Sequence, residues 1–199
     1  MTEEPKHGVL GFGTAHLYAA SRREAIFLLH AAWDAGVRWF DTAPLYGHGA
    51  AEGILGEALR GRREGAIIVS KVGIDPVKIS LPYRLHALSA RVASGLPGAK
   101  RVISPPAPLS PRFHQFASDA VRATVDRSLK ALQCDALDLL LLHECAPAEA
   151  ANPELLETLQ ALKRQGKIKA FGTAAGFEET AEIAARQSAA FDAFQYPFH

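Results

Sequence analysis

The chain has 199 residues, 48% hydrophobic and 22% charged, which is enough to bury a sizeable core and too apolar for a disordered protein. Its 22 Lys and Arg balance 21 Asp and Glu to a formal charge of +1, and no basic stripe with interleaved aromatics stands out, so a nucleic-acid partner lacks electrostatic support. No apolar run approaches the roughly 18 residues of a membrane span, Met1 to Pro5 lacks the regions of a signal peptide, and Cys134 and Cys145 cannot build a disulfide framework, so the expectation is a cytoplasmic protein with no membrane partner.

Short apolar runs alternate with helix-period segments along most of the chain, the pattern of repeated βα units around a parallel sheet. Six strands are predicted, over Val9 to Gly13, Val37 to Asp41, Ala66 to Ser70, Leu137 to Leu142, Ile168 to Gly172 and Ala193 to Tyr196. Several are apolar nearly throughout, as expected when both faces are covered. Five main helices lie between them. Ser21-Arg22-Arg23-Glu24 is a capping box, Ile26, Leu29 and Trp33 make an apolar stripe behind it, and Gly36 is the stop. A second helix covers about Ala51 to Leu59. A third runs from Ser118 to about Leu132, with Val121, Val125, Leu129 and Leu132 on one face. Asn152-Pro153-Glu154 opens a fourth that Gly166 ends, and Glu178 to Arg186 is a shorter fifth.

Between the third strand and the third helix, residues about 74–117 form an excursion holding seven of the 12 prolines. So long a structureless loop is unusual in a compact domain, so the excursion is expected to cover an active site or to be partly helical around Tyr83 to Ala93. No internal repeat is visible, and residues 1–199 read as a single domain.

In a barrel of parallel strands, the chemistry sits at the C-terminal strand ends and in the loops that follow them. The second strand ends in Asp41, the third is followed by Lys71, the fourth by His143 and the fifth by Thr173, while the sixth contains Gln195. Any one has an ordinary structural reading, the aspartate as a cap and the glutamine as a hydrogen-bonded core amide; their joint placement is harder to dismiss. The loop after Asp41 can fold Tyr46 back beside Lys71. A nearby ammonium favours the phenolate, so Lys71 is expected to lower the tyrosine pKa, with a carboxylate holding the lysine charged and oriented.

Gly11-Phe12-Gly13-Thr14-Ala15, Gly36-Val37-Arg38-Trp39-Phe40-Asp41-Thr42-Ala43 with Tyr46-Gly47, Ser70-Lys71-Val72-Gly73, Ser128 to Leu132 followed by Asp138-Leu139-Leu140-Leu141-Leu142-His143, and Gly166 to Gly172 occur in a fixed order. Together they resemble the aldo-keto reductases, oxidoreductases with a (β/α)8 TIM-barrel fold. The resemblance implies that Asp41, Tyr46, Lys71 and His143 are a catalytic tetrad. NADPH, or else NADH, would exchange a hydride with a small carbonyl, alcohol or sugar, while Gln195 and Thr173 would contact the nicotinamide amide. No metal is implied.

The sequence departs from the family in two places. Thr173-Ala174 stands where a serine-asparagine pair is common, and His199 follows the sixth strand directly. The reading is therefore an incomplete barrel, a fragment or a natural short form, lacking the last two βα units and the phosphate-binding residues they carry. Such a chain is expected to bind NADPH weakly and to self-associate through its open sheet edges. The competing reading is a truncated, noncatalytic or partner-dependent barrel used for protein interaction. A metal-dependent hydrolase finds little support: His143-Glu144-Cys145 resembles a ligand cluster only superficially, and the eight histidines give no His-x-His pattern.

Overall fold

The structure, a computed structural model, describes residues 9–76 and 110–197. Six parallel strands form one sheet in the order of the chain: β1 Gly11–Gly13, β2 Trp39–Asp41, β3 Ile67–Val72, β4 Leu137–His143, β5 Ile168–Ala174 and β6 Ala193–Gln195. Among the described residues six α-helices accompany the strands: α1 Arg22–Asp34, α2 Ala51–Ala58, α3 Ser118–Leu132, α4 Pro147–Ala150, α5 Pro153–Arg164 and α6 Phe177–Gln187. None is long and apolar enough to cross a membrane. The expected strand at Val9 begins two residues later, and Val9 and Leu10 stay exposed. Strands β3, β4 and β5 run one or two residues further than expected, which puts Lys71, His143 and Thr173 inside strands. The four-residue α4 escaped the sequence because it is too short to show a period. The helical stretch expected around Tyr83 to Ala93 lies outside the described residues.

The helix boundaries follow from local chemistry. The Ser21 hydroxyl accepts the Glu24 amide proton, the Glu24 carboxylate accepts that of Ser21, and Gly36 ends the α1 unit at a φ of +93°. Asn152 caps α5 by accepting the Glu154 amide proton at 2.9 Å, and Pro153 sits at the first helical position, where its missing N–H costs nothing.

Alternation along the strands divides the sheet into two faces. Phe40, Ile68, Val72, Leu140, Leu142 and Phe171 point to the helices and join Leu29, Leu55, Val125 and Leu159 in the main core. Val69, Leu139, Leu141 and Ala174 face the inside of the curl, with Trp39, Ala170 and Ala193 against them. The sheet is strongly curled: a side chain of β6 reaches one of β2, Gln195 Nε2 donating to Asp41 Oδ2 at 3.1 Å. Among the described residues β1 and β6 each pair on one side only, so the fold is an incomplete barrel.

Close approach of β6 to β5 depends on Gly172, where a Cβ would run into the Ala193 carbonyl and lie 3.1 Å from Leu141 Cδ2. Backbone cannot yield cheaply there, so Gly172→Ala should cost about 1–3 kcal/mol, the usual range for overpacking. A drop in urea midpoint at unchanged slope is the expected measurement.

Candidate active site

The register brings the polar strand ends together. Asp41 pairs with Val69, Lys71 with Leu141, and His143 with Ala174, which pairs with Gln195. Each step across the first strands climbs two residues, the stagger of a barrel, so Asp41, Lys71, His143 and Gln195 stay on the inner face while rising toward one rim. Tyr46 comes from the 3-10 turn Tyr46–Gly49 after β2. Tyr46, Lys71, His143 and Gln195 line one cleft of about 250 Å³ with Glu144, Ala174 and Tyr196.

Lys71 is the most buried member, its side chain 3% exposed. An ammonium so far from water needs a partner, and it donates to Asp41 Oδ1 at 2.5 Å and to the Thr42 carbonyl at 3.1 Å. Burial pulls its pKa below the ordinary lysine value, and the Asp41 charge and hydrogen bond oppose that shift. Thr42 is fixed in turn by the Thr14 hydroxyl, which donates to its Oγ1 at 2.9 Å in a buried contact from the end of β1.

Lys71 Nζ stands 4.8 Å from the centre of the Tyr46 ring, and His143 meets the same ring edge-on with centroids 6.0 Å apart. These are ring contacts. The expected lowering of the tyrosine pKa is not found: burial first, then the charges of Asp41 and Glu144, push the phenol up to about 12. The ammonium that was to stabilise a phenolate is engaged by Asp41, and two carboxylates lie within range of the ring. For His143, burial and then the Lys71 charge bring the imidazole down to about 4, with Asp41 opposing. At neutral pH the cleft therefore holds a protonated phenol, a neutral imidazole and an ammonium paired with a carboxylate.

Thr173 is not part of this group. It pairs with Leu142 and Phe194, so its side chain shares their helix-facing side, where it is fully buried and its hydroxyl has no hydrogen-bond partner. The expected cofactor contact from Thr173 is therefore corrected: counting one residue along a strand moves a side chain to the opposite face. The residues that do border the cleft there are Ala174 and Ala175. Sequence reasoning also missed Thr14, Thr42 and Glu144 as parts of the site. Thr42 acts through its backbone carbonyl, which no residue type advertises, whereas Glu144 follows His143 directly.

Gln195 offers a side-chain amide at the cleft, and the small Ala174 and Ala175 leave room beside it for a flat ring. That arrangement fits a carboxamide-bearing ring such as nicotinamide. The described residues lining the cleft supply no lysine or arginine other than Lys71.

The sequence model of the Aldo/keto reductase family matches residues 9–199. A pyridoxal 4-dehydrogenase of Microbacterium luteolum is 34% identical over 187 residues, covering 82% of this chain and 50% of that protein. A D-threo-aldose 1-dehydrogenase of a Pseudomonas species is 31% identical over 185 residues, covering 90% and 53%. An aldo-keto reductase from Klebsiella pneumoniae solved in complex with NADPH superposes with a TM-score of 0.58 at 25% identity, covering 86% of this chain and 47% of that one. The chain belongs to the aldo/keto reductase family. It spans about half the length of the curated relatives it matches.

Two measurements test these electrostatics. Asp41→Asn leaves a buried ammonium without its counter-charge and should cost about 3–5 kcal/mol, while Asp41→Leu with Lys71→Met, which removes both charges, should recover most of that in urea melts. For His143 the folded value of about 4 lies below the ordinary 6.5, so between them the unfolded chain binds a proton that the folded chain does not. Stability must then fall as pH drops from 6.5 to 4, by about 3 kcal/mol from this group, and His143→Asn should flatten that slope.

Proposed function

We propose that these residues belong to one barrel domain of an oxidoreductase that transfers a hydride between NADPH and a small carbonyl or alcohol, with Asp41, Tyr46, Lys71 and His143 as its catalytic group. The observation that carries this reading is the convergence on one cleft of a buried Lys71–Asp41 pair, the Tyr46 phenol and the His143 imidazole, drawn from three strands and a loop. The complex of the Klebsiella relative with NADPH supports the choice of cofactor. Two relatives named for dehydrogenation of pyridoxal and of an aldose support a small polar substrate.

NADPH, when bound, supplies the hydride, and Gln195 would hold its carboxamide. The remaining work falls to the chain's own groups. As the carbonyl oxygen gains charge, Tyr46 donates its phenolic proton; an alkoxide is a far stronger base than a phenolate, so the transfer is favourable even from a phenol held near 12. The tyrosinate left behind faces the Lys71 ammonium, which Asp41 keeps in place. His143, neutral at the working pH, donates a ring N–H to the same oxygen and orients it without adding a second cation beside Lys71. In the oxidative direction the same groups act in reverse.

A noncatalytic barrel kept for protein interaction is the less economical alternative. Such a barrel has no need of a buried ammonium beside a phenol, and replacing that pair by apolar side chains would be no loss to its stability.

Tyr46→Phe should abolish carbonyl reduction, by at least about a hundredfold, while leaving NADPH affinity within about twofold, because the phenol acts on the reacting oxygen and not on the dinucleotide. Single-turnover absorbance at the NADPH band, with cofactor fluorescence titration beside it, separates the two. Near-normal turnover in this variant would show that another group supplies the proton.

A further inference from the structure

The cleft holding Tyr46 and Lys71 opens into a second, larger hollow of about 520 Å³. The two share His143, Glu144 and Ala175, so the hollow adjoins the position where a carbonyl would meet Tyr46 and His143. Leu45, Ile74 and Phe113 supply an apolar wall. The opposite side is carboxylate. Glu144 stands in a left-handed backbone conformation, φ +53°, with its amide donating to the Ala174 carbonyl at 2.7 Å, and this kink after β4 lets it border both spaces. Glu179, in the first turn of α6, folds back over Gly176, where a Cβ would lie 2.5 Å from Glu179 Oε2; that leaves its carboxylate on the wall of the hollow.

Charge balance decides what fits. The one lysine here, Lys71, is already neutralised by Asp41, and the Nδ1 of His114 is turned to Glu149 Oε1 at 3.1 Å. His143 is uncharged at neutral pH. Among the described residues Glu144 and Glu179 are thus left without a cationic partner, on the wall of the hollow next to the reacting position. The negative potential also reaches the reacting position, since Glu144 is one of the charges that push the Tyr46 phenol up.

We infer that Glu144 and Glu179 make this hollow a charge-selective substrate subsite, taking carbonyl compounds whose distal part is cationic or a neutral hydrogen-bond donor such as a polyol, and rejecting those with a distal carboxylate or phosphate. The inference rests on the reductase reading for its placement of the carbonyl. Its physical basis is that a like charge brought beside two unpaired carboxylates is repelled, most strongly at low salt, while hydroxyl or ammonium donors are accepted.

The test uses three aldehydes of one shape: 4-formylbenzoate, 4-formylbenzamide and 4-(trimethylammonio)benzaldehyde. Binding of each to the whole chain is followed by ligand-observed NMR at low salt, for the parent and for Glu144→Gln, Glu179→Gln and the double variant, all on surface positions and checked for an unchanged melting temperature. The cation should bind at least about tenfold more tightly than the anion, and the double variant should bring the two within about threefold. Equal binding of cation and anion by the parent, a preference that survives in the double variant, or binding of none of the three would each overturn the inference. Turnover with NADPH is scored separately: a charge preference in binding with no reduction of the neutral amide counts against the reductase reading and leaves the subsite standing.

Discussion

The site is organised around a lysine ammonium that has been taken out of water. Lys71 is 3% exposed, and a charge so placed is tolerated only against a counter-charge in good geometry, which Asp41 provides at 2.5 Å. This requirement ties β2 to β3 in one register, because a one-residue slip would turn Asp41 toward the helices and strand the ammonium. The pairing spreads outward from there. The Thr42 carbonyl takes a second proton of Lys71, the Thr42 hydroxyl ties back to Thr14 on the β1 side, and the other oxygen of Asp41 takes the amide of Gln195 from β6. One carboxylate thus links the third strand to the sixth across the inside of the curl.

The opposite face of the same strands serves stability. Ser70, next to Lys71 but pointing outward, donates to the buried Glu52 of α2 at 2.7 Å, and burial holds the Glu52 carboxyl above its ordinary value against that hydrogen bond. Helix α2 follows the turn that carries Tyr46, so this contact fixes the tyrosine's supporting element to the strand that carries the lysine. At the other end of the sheet, burial raises the Asp138 carboxyl but is outweighed by the Ile68 amide at 2.8 Å, Lys169 at 2.7 Å and the charge of Arg63. That cluster pins the N-terminal ends of β3, β4 and β5. The division matches the general behaviour of parallel barrels, with stability at one rim and chemistry at the other.

Burial and charge act together on the cleft to keep its phenol and imidazole uncharged. The phenol is held protonated and the imidazole neutral, each shifted away from its charged form chiefly by loss of water. In the proposed reaction that phenol would have only to offer its proton as negative charge develops on oxygen. The cation that would accommodate the resulting tyrosinate is already in place, so little reorganisation would accompany such a step.

The sequence by itself determined the order of strands and helices, the capping of α1 and α5, and the set of strand-end residues Asp41, Lys71, His143 and Gln195. These depend on short-range chemistry: hydrophobic period, cap residues, and the rule that parallel strands present their C-terminal ends to one rim. Tertiary structure alone decided which face each side chain takes and what it meets there. Thr173 read as a site residue because it lies near a strand end, yet the β4–β5–β6 register aligns it with Leu142 and Phe194 on the helix side. Tyr46 was expected to have a lowered pKa because Lys71 follows the next strand. In the folded chain that ammonium is engaged by Asp41, and Glu144 approaches from a different loop. Burial and through-space charge come from segments distant in the chain, and no local pattern of residues encodes their sum.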